Sequence, residues 1–197
     1  GHYALMAARQ GYVGMSMTGT PGPAMAPTFG KKAMFGTNPI AFAALAKNNQ
    51  PFVLDMATTT VAIGKLAIAR RKDKPIPEGW ALDENGQPTT DSTAAHISRL
   101  LTPLGGDREH GGHKGYGLAA MVDILSSTLS GAAIAAVATH FKQDREKFNI
   151  GHFMFAIDPV SVLGDSSFET SLDDLIDTLH STPPVDDQQS VLVAGDP

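Results

Sequence analysis

Gly111-Gly112-His113-Lys114-Gly115-Tyr116-Gly117 is the stretch on which the reading of the chain turns. Directly after it, Leu118, Met121, Val122, Leu125 and Leu129 recur at the spacing of one helix face. Gly131 stands where a C-cap would stop that helix. The glycines therefore read as a loop that feeds a helix N-terminus. Free amide groups and the positive end of the helix dipole favour anions there. Glycine lets a ligand come close to the backbone, and Lys114 adds a full positive charge. A phosphate or carboxylate would meet all three. The competing reading is a tight turn beside a solvated lysine, because a glycine-rich turn alone is a weak motif.

Upstream, strand-like and helix-like segments alternate. Tyr3 to Gln10 reads as a helix closed by Gly11, and Tyr12 to Thr18 as a strand. Gly19-Thr20-Pro21-Gly22-Pro23 is a turn at that strand's end, the place where ligands sit in α/β sheets. Thr20 is thus a candidate contact, with a purely turn-stabilising role as the alternative. Gly36-Thr37-Asn38-Pro39 reads as a second turn and Ile40 to Leu45 as a strand. Phe52 to Leu54 reads as a short buried strand that ends on the carboxylate of Asp55.

Asp55-Met56-Ala57-Thr58 then leads into a helix carrying Val61, Gly64, Lys65 and Ile68 on one face. Asp55 and Thr58 can hold a ribose or an amide, or can simply cap that helix. Arg70-Arg71-Lys72 suits a helix C-terminus. Asn85-Gly86 marks a turn, and Asp91 to Leu101 a short helix.

Downstream, Gly131 to Phe141 is alanine-rich and Lys142 to Lys147 charged. Gly151 to Pro159 reads as a buried strand. Ser166 or Ser167 can cap a helix bearing Phe168, Leu172, Leu175, Ile176 and Leu179, with Asp173 and Asp174 on its other side. Ser190 to Val193 reads as a last strand. The overall pattern is α/β: a mixed β-sheet flanked by helices, in one domain spanning residues 1–197.

The 197 residues carry a formal net charge of −5, which argues against nucleic acid or an anionic membrane as the main partner. There is no cysteine, so disulfides, thiolate metal sites and cysteine nucleophiles are excluded, and a reducing cytoplasm is compatible. No apolar run reaches the roughly 18 residues that a membrane span needs. The chain opens Gly1-His2-Tyr3 inside a helical pattern, which reads as a piece of a longer protein. Glu109, His110 and His113 raise the question of a metal, but histidines three apart in a glycine-rich loop share no rigid face, and no metal is expected.

Several motifs now combine. Met17-Thr18, Pro27-Thr28-Phe29-Gly30, Gly36-Thr37-Asn38-Pro39, Leu54-Asp55-Met56-Ala57-Thr58, Lys74-Pro75-Ile76-Pro77-Glu78-Gly79-Trp80, Pro88-Thr89-Thr90-Asp91 and Gly112-His113-Lys114-Gly115-Tyr116-Gly117 occur in one order. Together they resemble the malate/L-lactate dehydrogenase type 2 family, which includes ureidoglycolate, sulfolactate and diketogulonate oxidoreductases. The stretch Asp107 to Gly112 and Asn149-Ile150-Gly151-His152-Phe153 look most like its malate dehydrogenase branch.

The resemblance implies a nicotinamide-nucleotide fold without the Gly-x-Gly-x-x-Gly fingerprint, and none is found here. It implies NAD or NADP as cofactor, a 2-hydroxy or 2-keto acid such as malate or lactate as substrate, and a homodimer. By resemblance the cofactor contacts are Thr20, Asp55, Met56, Ala57, Thr58, His113, Lys114, Ala194, Gly195 and Asp196.

Departures accompany it. Gly19 stands where many members have asparagine, and Ala194-Gly195-Asp196 where Pro-Gly-Glu is usual. The family's Ser-His-Gly segment and its catalytic histidine find no match, so no residue here is assigned the acid/base role that hydride transfer to a keto acid needs. A non-catalytic nucleotide-binding piece is the alternative reading.

Overall fold

The computed structural model describes residues 1–138, 149–186 and 189–197. Lys142 to Lys147 and residues 139–141 of the alanine-rich stretch lie outside the described residues. The chain divides into two compact units: Gly1–Ser16, Ile40–Asp55 and Met154–Pro197 form one, Met17–Pro39 and Met56–Phe153 the other.

A four-stranded sheet runs in the order β3-β2-β1-β7, from β1 (Val13–Gly19), β2 (Ile40–Ala44), β3 (Phe52–Met56) and β7 (Gly151–Ile157). In the first unit, helix α1 (His2–Ala8) packs on β2 through alanines. Ala4, Ala8, Ala41 and Ala43 are buried there, with Leu5, Leu45 and Val53 against them. The small side chains let helix and strand approach closely.

The second unit holds helices α2 (Ile63–Arg71) and α3 (Ser92–Ser98) beside a three-stranded antiparallel sheet, β5-β4-β6, made of β4 (Ala81–Leu82), β5 (Pro88–Thr89) and β6 (Leu100–Leu101). Leu66, Ile76, Ala81, Ala95 and Leu101 form its core, and Trp80 packs on it. The hairpin between β4 and β5 turns through Asn85-Gly86, with the Gly86 amide donating to Asp83 O at 3.0 Å. Asp91 caps α3, accepting from Thr93 N at 2.7 Å and Ala94 N at 3.2 Å. Arg70 and Arg71 lie in the last turn of α2.

Helix α4 (Gly112–Asp123) continues as a π-helical turn (Ile124–Thr128), and α5 (Ala135–Ala138) follows. In the first unit α6 (Pro159–Leu163) and α7 (Phe168–His180) complete the chain. Among the described residues no helix is long and apolar enough to cross a membrane.

Several sequence expectations are corrected. The glycine-rich stretch is not a loop: α4 begins at Gly112, so Gly115 and Gly117 are helical. A Cβ on Gly115 would lie 2.4 Å from Leu104 N and O, so the glycine is there because backbone meets backbone. The buried face of this helix coincides with the apolar stripe only in part, at Val122. Ala119, Val122, Asp123, Ser126 and Ser127 are buried, while Met121 and Leu129 are exposed.

The capping role for Asp55 or Thr58 is overturned: the N-cap of α2 is Ala62, with no side-chain cap. Gly64 makes no close packing contact, and Leu66 is the buried residue of that helix. β3 is half-buried rather than buried. β7 is exposed along most of its length, with Met154 and Ile157 at 48% and 43%, because it lies at the edge of the sheet.

On α7 one acidic residue, Asp173, turns inward, while Asp174 is exposed. Asp173 and Ile176 are buried, and Leu175 and Leu179 exposed. The reason is hydrogen bonding: the Asp173 carboxylate accepts from the backbone amides of Asn48 and Asn49 and from both their side chains, at 2.8–3.1 Å. Ser167 precedes α7 without a side-chain capping bond. Ser190 to Val193 is not a strand; it leads into a turn whose Ala194 O accepts from Val53 N at 2.9 Å.

Candidate functional site

In the second unit, the turn after β1 and the turn before β2 are tied together. Asn38 is fully buried, and its Oδ1 accepts from both the amide and the hydroxyl of Thr20, each at 3.1 Å. Its Nδ2 donates to Ala119 O on α4 at 2.9 Å. Next to it, Thr37 O accepts from Thr58 N at 2.9 Å and from the Thr58 hydroxyl at 3.1 Å. Leu104 N closes on Thr58 O at 2.9 Å. Thr20, Thr58 and α4 are thereby held as one polar assembly. Thr58 is fully buried with amide, hydroxyl and carbonyl all engaged, so it anchors the loop that carries half-buried Met56 and Ala57.

Lys114 is exposed on the first turn of α4. Its side chain folds back over Gly111, where Nζ lies 3.5 Å from the place a Cβ would take. Helical side chains lean toward the N-terminus, and here that puts the ammonium at the positive end of the helix dipole. The expected free amides are partly taken up: Gly112 N donates to Asp107 O at 2.7 Å and Lys114 N to Gly111 O at 2.9 Å. The anion-binding character thus falls mainly on the lysine.

His113 Nδ1 lies 3.0 Å from Arg108 Nη1. A guanidinium only donates, so Nδ1 accepts and the neutral ring carries its proton on Nε2. His110 is turned elsewhere, Nδ1 to Asp107 Oδ1 at 2.7 Å. The backbone amide of His110, then its ring, hold the Asp107 carboxyl below the usual range. Among the described residues no three His, Asp or Glu side chains converge as a metal site.

In the first unit, Asp55 is exposed and pairs with the amino group of Gly1. The Ala194-Gly195-Asp196 turn closes on β3. Val53 N donates to Ala194 O, and a Cβ on Gly195 would lie 2.3 Å from Pro51 O. Asp196 Oδ2 accepts from Val193 N at 2.7 Å and pairs with His180 Nε2 at 2.9 Å. The Val193 amide and then His180 hold the Asp196 carboxyl low.

In the second unit, the Lys114 ammonium at the start of α4 suits a phosphate in kind. A cavity of about 580 Å³ in the second unit is lined by Thr28, Phe29, Lys31, Glu78 and Arg108, among others, and by none of the residues carried over as cofactor contacts.

Sequence reasoning missed Asn38, taken as a turn residue, and the inward set Asp123, Ser126 and Ser127. The signal for Asn38 was an asparagine before proline at a position needing positive φ, observed at 33°. For the helix it was three polar residues spaced i, i+3 and i+4, which share a face as surely as apolar ones do.

The profile of the malate/L-lactate dehydrogenase family matches residues 1–197. Malate dehydrogenase of Pyrococcus horikoshii is 46% identical over 184 residues, covering 92% of this chain and 50% of that protein. L-sulfolactate dehydrogenase of Methanocaldococcus jannaschii is 37% identical over 196 residues, covering 100% of this chain and 54% of that protein. The crystal structure of malate dehydrogenase from Entamoeba histolytica superposes with a TM-score of 0.88 at 32% identity, covering 100% of this chain and 56% of that one. The chain spans about half the length of the curated relatives it matches. It belongs to the malate/L-lactate dehydrogenase family.

Proposed function

We propose that the protein to which these residues belong is an NAD- or NADP-dependent oxidoreductase that moves a hydride between the nicotinamide and a 2-hydroxy or 2-keto acid such as malate or lactate. The observation that carries this is family membership along the whole chain, with malate and sulfolactate dehydrogenases among its relatives. When bound, the nicotinamide supplies or takes the hydride.

The chain's own residues bind and orient. Lys114 meets the anionic part of the cofactor, with His113 beside it. Thr20, Met56 and Ala57 line the approach, and Thr58 anchors their loop. Asp55 and the Ala194-Gly195-Asp196 turn are the contacts of the first unit. In this reading residues 1–197 act as one nucleotide-binding domain, and the proton is handled by a part of the protein that these residues do not include. The whole protein works as a homodimer on a small-molecule acid.

Fluorescence titration of the chain with NADH and NADPH tests the binding half. A screen of 2-keto acids for NAD(P)H oxidation by the full-length protein tests the rest. Binding by the 197-residue chain without turnover of its own would fit the alternative, a nucleotide-binding piece that is not catalytic by itself. Absence of binding would sink both.

A further inference from the structure

Asp123 ends α4 and is 4% exposed. Its Oδ1 lies 3.5 Å from the Ser127 hydroxyl, and its Oδ2 has no hydrogen-bond partner among the described residues. Such a carboxyl in a core is unfavourable and is kept only where something else is gained. The helix passes into π geometry immediately after it, an irregularity that recurs at functional sites.

What Asp123 faces is the turn that carries Thr20. A Cβ on Gly19 would lie 2.0 Å from Ser127 Oγ and 3.1 Å from Asp123 Oδ1, so only glycine lets the end of β1 come this close. The next residue, Thr20, gives both its donors to Asn38 Oδ1. An asparagine amide has two protons. One from Asn38 goes to Ala119 O, and the Asn38 amide lies beside Asp123, where it favours the ionised carboxyl. The Ala119 carbonyl thus holds the NH₂ side of Asn38, with the Asp123 carboxyl beside it. That holds its oxygen toward Thr20.

We propose that Asp123 is a positioning residue: its carboxyl fixes the orientation of the Asn38 amide and through it the Gly19–Thr20 turn. That this turn meets the cofactor rests on the function proposed above. Among the described residues, the groups facing Asp123 are Asn38 from the turn before β2, Gly19 from β1, and Ser127 from the π-helical turn that follows it; none of these is charged. Burial raises the carboxyl's titration, and Asn38 and Ser127 pull the other way. Ionisation of Asp123 is therefore felt at Asn38.

The isotopically labelled 197-residue chain tests this by NMR. As the Asp123 carboxyl carbon titrates, the Asn38 NH₂ and Thr20 amide resonances are expected to follow the same curve, and to stay still over that range in Asp123→Asn. That variant keeps a carbonyl acceptor, so its NADH affinity should stay within about twofold of wild type. Asp123→Leu removes the acceptor and should shift the Thr20 amide and weaken NADH about tenfold. A Thr20 amide that ignores both the titration and Asp123→Leu overturns the positioning role. If Thr20 responds while the wild-type chain binds neither NADH nor NADPH, the positioning stands and the cofactor reading falls. If Asp123→Leu does not fold, comparison of the wild-type and Asp123→Asn titrations decides alone.

Discussion

Asn38 Oδ1 accepts two hydrogen bonds from a single residue, the amide and the hydroxyl of Thr20, both at 3.1 Å. One buried asparagine thereby joins the end of β1 to the start of β2 and, through Ala119 O, to α4. Asn38→Ala would leave the Thr20 amide without its partner inside the protein. Leaving buried groups unpaired costs about 1–3 kcal/mol. The urea midpoint of the variant should fall accordingly with an unchanged slope, and an unchanged midpoint would mean that the assembly is not holding the turns.

Lys114→Ala should weaken cofactor binding without unfolding the chain. The side chain is exposed and lies over the start of α4. A charge-assisted contact to a bound anion is worth roughly 1.5–3 kcal/mol, against about 0.5 kcal/mol or less for a solvated lysine. NADH titration of the two proteins, with circular dichroism as the control for folding, separates the two cases.

Gly115→Ala should destabilise although alanine is the better helix former. Its Cβ would lie 2.4 Å from Leu104 N and O, and backbone cannot rotate away as a side chain can. Overpacking of this kind costs about 1–3 kcal/mol. Gly117→Ala, two residues further on and exposed with nothing in the way, should stabilise or be neutral. Equal thermal midpoints for the two variants would contradict the close approach.

Asp123 should make the protein less stable as the pH rises. Burial raises its folded-state pKa above the unfolded value, so its contribution is fully present below the ordinary carboxylate range. That contribution is lost as the pH climbs through the raised value. Asp123→Asn removes the dependence, so its advantage over wild type in urea unfolding should grow with pH across this window. A constant difference would contradict the raised pKa.

Asp173 should behave in the opposite sense. Burial pushes its carboxyl up, but the Asn49 and Asn48 backbone amides and then their side chains outweigh it, and the net shift is downward. Its contribution is present above the unfolded value and lost as the pH falls through the lower folded one. Asp173→Ala should lower the urea midpoint near neutral pH, and the gap should close as the pH falls through that window. A gap that persists in acid would point to packing instead.

Local chemistry written along the chain determined much of this. The order of helices and strands through α2, the turn at Asn85-Gly86, the short helix α3 and the helix that runs on from the glycine-rich stretch all follow from periodicity and from turn residues acting on their own neighbours. Family membership was legible too, because it rests on several short motifs in one order. Which side of each element faces inward was decided only by tertiary structure. Periodicity assigns the apolar face to the core, yet α4 buries Asp123, Ser126 and Ser127, and α7 buries Asp173. The two carboxyls find their surroundings in segments far away in the chain: Gly19 and Asn38 for Asp123, Asn48 and Asn49 for Asp173. Hydrogen bonds between such distant partners exist only once the chain has folded, and no local pattern carries them. The same holds for Gly115, where the approach of Leu104, not the flexibility of a loop, calls for a residue without a side chain.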